Sequence, residues 1–300
     1  MIQVEHLSRR YGDFFAINDI SFSVAKGEVL GFLGPNGAGK STTMRILSGC
    51  IGATSGRALI GGKDVTADPQ GVKRSIGYLP EVPPVYGTMA VADYVAFAAK
   101  IKGVSDVAGA TERAMARVGL SGVRDRIIEN LSKGYRQRVG IAQALVHDPE
   151  VLILDEPTSG LDPAQRREIR DLLHELAEGA RTVILSTHVL GEIEAVCERV
   201  VIINKGQVVG SGAISELSGD ARQVRLKVAR PDEALEAELR SMPGIASLTP
   251  MADGAYRLGT AEERREAIAA AAVRCGLLEL TPEAGLEEAY LRLTQTGGAA

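Results

Sequence analysis

Cysteine is scarce in this sequence, and the three present, Cys50, Cys197 and Cys275, lie far apart with no CxxC pair. That excludes a disulfide framework and a cysteine-based zinc site, and it fits a reducing cytosolic setting. Long hydrophobic runs are missing too: no stretch approaches the roughly 18 apolar residues that a membrane-spanning helix needs. The longest are Val29–Leu33, Val151–Leu154, Thr182–Leu185 and Val200–Ile203, which are strand-length. Any action at a membrane is therefore expected from outside the bilayer. There is no basic excess or basic tail, since the formal net charge is −4. A general nucleic-acid partner is not expected. The opening MIQVEHLSRR has no apolar core of a secretory signal, so none is expected. Repeats and low-complexity segments are absent.

What remains is ordinary globular material. With 300 residues, 45% hydrophobic and 24% charged, the chain can bury one large core and a smaller one. Apolar strand-length runs separated by helical patterns predict a mostly parallel sheet covered by helices. Val29–Leu33 reads as a buried strand, followed by a glycine-rich loop and a helix over Ser41–Ser48. Val151–Leu154 reads as a second strand. Pro163–Glu178 reads as a helix, with Asp162 as N-cap and Gly179 as its stop. Thr182–Ser186 and Val200–Ile203 complete the expected strands.

Between them, residues about 88–147 read as a helical insert, with helices over Thr88–Lys102 and Thr111–Val118. The pattern changes around Ser218-Gly219-Asp220. Beyond it Val224, Leu226 and Val228 alternate with Arg225 and Lys227, a half-buried strand. Helices are expected at Pro231–Arg240, at Ala261–Arg274 up to Gly276, and at Leu286–Leu293, with strands at Tyr256–Leu258 and Leu277–Leu280. The expected division is a nucleotide-binding domain over residues 1–217 and an accessory α+β domain, of ferredoxin-like type, over 221–294. The tail Thr294–Ala300 is expected to fray.

Gly34-Pro35-Asn36-Gly37-Ala38-Gly39-Lys40-Ser41 fits G-x-x-x-x-G-K-[ST] between a strand and a helix. Glycines let successive N–H groups converge on phosphate oxygens, and the helix N-terminus adds its positive end. Lys40 brings charge to the β- and γ-phosphates, and Ser41 brings a hydroxyl to Mg²⁺. The expected nucleotide contacts run on to Thr42. The motif alone specifies a nucleoside triphosphatase. Val151–Leu154 ends on Asp155 and Glu156. On their own, two acids after a strand suit a solvated turn as well as a site. Beside a phosphate loop, Asp155 is expected to hold Mg²⁺, and Glu156 to act on an attacking water as general base.

Three further motifs carry a resemblance. Leu131-Ser132-Lys133-Gly134-Tyr135-Arg136-Gln137-Arg138 resembles the signature sequence of ABC ATPases, Ser159-Gly160-Leu161-Asp162 their D-loop, and Thr187-His188 their switch histidine. Their order matches the family over about residues 1–217. The resemblance implies an α/β P-loop nucleotide-binding domain with a helical subdomain, binding ATP and Mg²⁺ and hydrolysing ATP. It also implies a homodimer that closes head to tail on ATP. In that dimer Ser132 and the Gly134 N–H touch the γ-phosphate held by the opposite subunit. His188 contacts the γ-phosphate and orients the water. Tyr11 resembles the aromatic that stacks on adenine, although its pattern also fits a packing tyrosine. Integral membrane permease subunits are the implied partners, with the chain peripheral on the cytosolic face.

Two positions depart from the family. Glu81, after Ile76-Gly77-Tyr78-Leu79-Pro80, stands where glutamine is usual, and a carboxylate there reaches toward Mg²⁺ or its water. The signature reads LSKGY, which keeps Ser132 and Gly134 but adds Lys133 and Tyr135. These variants, with GYLPE and a C-terminal GLEEAYLRLT, resemble the gliding-motility and multidrug-exporter branch. Glu81–Thr88 is then the expected surface for a permease helix. Rival readings are an ABC ATPase acting on ribosomes or DNA and a non-enzymatic module. The first usually carries two cassettes or a long insertion, and the second does not need Lys40, Asp155, Glu156 and His188 together.

Overall fold

Runs that are apolar on both faces need helices above and below them, and here four such runs form the centre of one sheet. The computed structural model describes residues 1–177, 181–217, 222–251, 254–262, 264–283 and 286–296. The chain divides into two units, Met1–Gly212 and Ala213–Ala300. The division thus falls before the expected residue 217, because a short helix at Ile214–Leu217 packs against the last helix of the second unit.

In chain order the first unit begins with β1 (Ile2–Tyr11), β2 (Phe14–Val24) and β3 (Val29–Leu33), then α1 (Lys40–Leu47). Next come β4 (Ser55–Ile60), β5 (Lys63–Asp64), α2 (Pro69–Ser75) and β6 (Ile76–Leu79). Three helices follow, α3 (Val91–Ile101), α4 (Val107–Arg117) and α5 (Lys133–Leu145). The unit continues through β7 (Val151–Asp155), α6 (Pro163–Ala177), β8 (Thr182–Thr187), α7 (Leu190–Val196), β9 (Arg199–Asn204) and β10 (Gln207–Ala213). One six-stranded sheet runs β10-β9-β3-β8-β7-β6, with β9, β3, β8, β7 and β6 parallel in succession. Every residue of β7 and of β8 is buried.

The register decides where the chemistry lies. Leu33 pairs with Thr187, and Ser186 pairs with Asp155. The strand ends of β3, β8 and β7 are therefore level, and the residues that follow each one meet at the same edge of the sheet, the usual place for a ligand in such folds.

A second sheet, β2-β1-β4-β5, is antiparallel and was not anticipated from the sequence. Its alternation is broken by bulges between Val4 and Leu7 and between Leu7 and Arg9, so the period of two is lost. The two sheets share a core with α1, including Leu7, Ile17, Phe32, Met44 and Leu47, and the Phe22 and Phe32 rings lie 5.4 Å apart.

Helix ends differ from expectation by a turn or less. α1 starts at Lys40 because left-handed Gly39 is its N-cap. α4 starts at Val107, four residues before the expected Thr111, because Asp106 caps the Gly109 N–H at 2.9 Å. Gly109, a weak helix former, hides that first turn from propensity reasoning. α3 starts only at Val91, because Ala90 bridges to Ile127. The expected stop of α6 at Glu178-Gly179 and the transition at Ser218-Gly219-Asp220 lie outside the described residues, as do Glu263 and the final four residues.

The second unit comprises α8 (Ile214–Leu217), β11 (Arg222–Val228), α9 (Glu233–Ser241), β12 (Ile245–Pro250), β13 (Ala255–Thr260), α10 (Arg265–Ala272), β14 (Leu277–Glu283) and α11 (Leu286–Thr296). Its sheet order is β12-β13-β11-β14, all antiparallel, which with the two crossing helices gives the split βαββαβ arrangement. Val224, Leu226, Leu235, Leu239, Leu258 and Ile268 pack into its own core. The β12 strand was not read from sequence, since only Leu248 within it is fully buried.

Candidate active site

The phosphate loop leaves β3 and returns as α1, and its glycines are fixed by close approach. A Cβ on Gly34 would lie 2.3 Å from the Ile203 carbonyl oxygen, and one on Gly39 2.5 Å from that of Ala16. Gly39 also has φ +107, which a side chain strongly disfavours. The loop thus wraps Lys40, which is 5% exposed. Its Nζ donates to the carbonyls of Gly34 at 2.8 Å and Pro35 at 3.2 Å and sits 3.2 Å from Glu156 Oε1.

Glu156 is the first residue past β7. It is buried and left-handed at φ +49, a conformation that costs a non-glycine residue about 1 kcal/mol or more. The bend is held by its N–H donating to Ser186 O at 2.8 Å. The side chain is thereby brought between Lys40 and His188, whose Nδ1 lies 2.8 Å from Glu156 Oε2. One carboxylate oxygen meets the ammonium and the other the imidazole. Only His188 of the three is exposed, at 45% of its side chain.

Asp155 points the other way. Its Oδ1 accepts from the Ser186 hydroxyl at 2.9 Å. Burial raises its pKa above the ordinary carboxylate value. Hydrogen bonds from Ser186 and Ser41 oppose that rise, while the negative charges of Glu156 and Glu81 add to it. A carboxylate whose charge is disfavoured in this way gains from a nearby cation. Ser41, Asp155 and Glu81 form a donor set of hard oxygens suited to Mg²⁺. Among the described residues, however, no three His, Cys, Asp or Glu side chains cluster tightly enough to hold a metal by themselves. The fit is to an ion that also takes phosphate oxygens, which is how Mg²⁺ is commonly bound.

Apart from Asp155, these groups open into one cleft of about 570 Å³. Tyr11, Asn36, Gly37, Gly39, Lys40, Ser41, Thr42, Glu81, Glu156 and His188 all line it, so most of the residues picked from sequence converge there. Pro35 and Ala38 shape the loop, the Ala38 N–H donating to Pro35 O at 3.2 Å. Tyr11 is 45% exposed at the cleft mouth, and the Arg9 guanidinium covers its ring at 4.7 Å. Phe14 and Ser159 also line the cleft. Sequence reasoning passed over Phe14, which sits across the tight β1–β2 turn from Tyr11. It also passed over Ser186, whose signal was only its place ahead of Thr187-His188.

Ser132 and Gly134 are not brought to this cleft. They line a separate hollow with Tyr135, Arg138, Gln165 and Glu168. Ser132 is the N-cap of α5, its Oγ accepting weakly from the Tyr135 N–H at 3.4 Å. Gly134 is buried because the Gln165 side chain covers it, 2.9 Å from where a Cβ would stand. The Lys133 ammonium leans over Gly160 of the loop between β7 and α6. No helix among the described residues is long and apolar enough to cross a membrane.

The sequence pattern of the family described as ABC transporter matches residues 17–159. The chain is 39% identical over 240 residues to the uncharacterised ABC transporter ATP-binding protein YhcH of Bacillus subtilis, covering 78% of this chain and 77% of that one. It is 36% identical over 256 residues to the linearmycin resistance ATP-binding protein LnrL of the same organism, covering 83% and 82%. A solved structure of the ATP-binding subunit of an ABC transporter superposes with a TM-score of 0.66 at 29% identity, over 72% of this chain and 91% of that one. A buried lysine in a glycine loop, paired with an acid that also meets a histidine across level strand ends, is thus found in a chain that belongs to the ABC transporter ATP-binding proteins, an ATP-binding, ATP-hydrolysing subunit.

Proposed function

We propose that this subunit drives export of a compound through integral membrane permease chains, closing as a homodimer on ATP and reopening after hydrolysis. The observation that carries the reading is the Lys40–Glu156–His188 chain, which runs from the foot of the glycine loop out to the cleft surface. Phosphate oxygens compete with Glu156 and two backbone carbonyls for the Lys40 ammonium. Drawing Lys40 onto the β- and γ-phosphates frees one oxygen of Glu156 to accept a proton from the attacking water. His188 holds the other oxygen and presents its outer edge to the γ-phosphate. Tyr11 stacks on the adenine, backed by Arg9. Ser41, Asp155 and Glu81 would hold Mg²⁺, which when bound neutralises charge on the phosphate oxygens.

Ser132 and the free N–H groups at the start of α5 suit an anion presented by a second copy. Their separation from the cleft of their own chain supports a site completed in trans. The exporter reading is supported by GYLPE, the LSKGY signature, the closing GLEEAYLRLT and the resemblance to a protein named for linearmycin resistance. Coupling would arise because permeases bind the open and closed dimers differently, with Glu81–Thr88 as the contact surface. In a size-exclusion experiment, Glu156→Gln should run as a dimer with ATP and as a monomer without it. A variant that binds ATP and stays monomeric would remove the support for the closed dimer.

A further inference from the structure

Glu192, in the first turn of α7, is a buried carboxylate with 7% exposure that the proposed reaction does not use. Both of its oxygens accept hydroxyl protons, Oε1 from Thr158 and Oε2 from Thr187 at 2.7 Å. Thr187 Oγ1 also accepts from the Val189 N–H at 3.1 Å. Thr158 and Thr187 are themselves 4% and 0% exposed. Among the described residues these neutral donors hold the carboxylate without a cation. An apolar side chain would fill this position without the desolvation cost of a carboxyl group, so packing alone does not account for a glutamate here.

The two threonines mark what it joins. Thr158 lies two residues after Glu156 and one before Ser159, which lines the nucleotide cleft. Thr187 is the last residue of β8 and immediately precedes His188. At the cleft surface the two segments meet through the 2.8 Å contact between His188 and Glu156. Beneath it they meet again through Thr158, Glu192 and Thr187. The result is a closed ring of side-chain contacts and short backbone links, in which a shift of Ser159 or Glu156 is transmitted to His188.

We propose that Glu192 is a positioning residue for ATP hydrolysis. It clamps the segment from Glu156 to Ser159 against the segment bearing His188, and so sets the His188–Glu156 geometry. The proposal rests on the reading of Glu156 and His188 as the hydrolytic pair. A misplacement near 1 Å between such groups is worth about 100-fold in rate.

The test uses the full chain and three measurements: steady-state kcat and KM for Mg-ATP, affinity for a fluorescent ATP analogue, and the histidine ring resonances by NMR, with that of His188 assigned from its loss in His188→Gln. Glu192→Ala should lower kcat by about 10- to 100-fold with analogue affinity within about threefold of wild type, and should move the His188 resonance. Glu192→Gln, whose amide oxygen still accepts from one threonine, should recover most of the rate. If Glu192→Ala does not fold, the near-isosteric pair Thr158→Val and Thr187→Val replaces it and should show the same split. Wild-type kcat in these variants, or an unmoved His188 resonance, overturns the proposal. So does a parallel loss of rate and affinity. Glu156→Gln run alongside separates the two failures. If it still turns over, the hydrolytic pair is misassigned. If it is inactive while the Glu192 and threonine variants are normal, only the clamp is wrong.

Discussion

The two ends of the parallel sheet treat desolvated charge in opposite ways. At the end where β3, β7 and β8 finish, Lys40 is buried yet paired with Glu156, and Glu156 in turn with His188. Where β6 begins, Lys102 Nζ donates to the carbonyls of Lys73 and Ile76 at 2.6 and 3.2 Å, and His147 Nε2 lies 2.9 Å from the same Ile76 oxygen. Among the described residues neither base forms an ion pair there, and the nearby Asp148 charge opposes the effect of burial on His147 only in part. The Lys102 ammonium has a lowered pKa because of burial and the nearby Lys73. Burial, reinforced by Lys102, pushes His147 down to about 4. At the first end buried groups meet in ion pairs, whereas at the second burial disfavours the charged forms of both bases.

The comparison breaks most sharply at Glu156. Glu156→Gln keeps the shape but removes the base, and kcat for phosphate release should fall by about 1000-fold with ATP binding retained. Gly39→Ala attacks the backbone of the same end. With φ +107 and a Cβ 2.5 Å from Ala16 O, it should cost about 3 kcal/mol in chemical denaturation and abolish ATP binding.

At the other end the effect is on stability against pH. The native state holds the His147 proton less tightly than the unfolded chain does, so unfolding takes up a proton. Stability should therefore fall as pH drops from about 6.5 to about 4, by up to about 2 kcal/mol, and His147→Gln should flatten that slope. The smallest effect has the opposite sign. The raised pKa of Asp155 means that its native state binds a proton more tightly than the unfolded chain, so its ionised form at neutral pH weakens the fold. Asp155→Asn should raise stability by about 1 kcal/mol, seen as roughly 2 °C in Tm without nucleotide, while turnover is lost.

The buried strands β3, β7, β8 and β9 were legible because short continuous apolar runs have few alternatives in a sequence where no run reaches membrane-spanning length. Asp155 and Glu156 were legible because they close such a strand, and Lys40 because it ends the glycine loop that follows one. The antiparallel sheet was not, since the bulges in β1 erase its alternation and half of β4 is exposed. Glu192 was not legible either. Its pattern in α7 is that of any helix-surface acid, and only the packing of α7 buries it.

The sequence by itself determined the phosphate loop and its strand-loop-helix context, because glycine spacing and apolar runs are local properties of the chain. The tertiary structure alone decided that Glu156 meets both Lys40 and His188, because that follows from the register of β8 against β3 and β7, and β3 lies more than a hundred residues before the other two. It also decided that Ser132 and Gly134 line a hollow separate from the cleft of their own chain. Pairing between distant strands depends on the whole fold, and no short stretch of sequence encodes it.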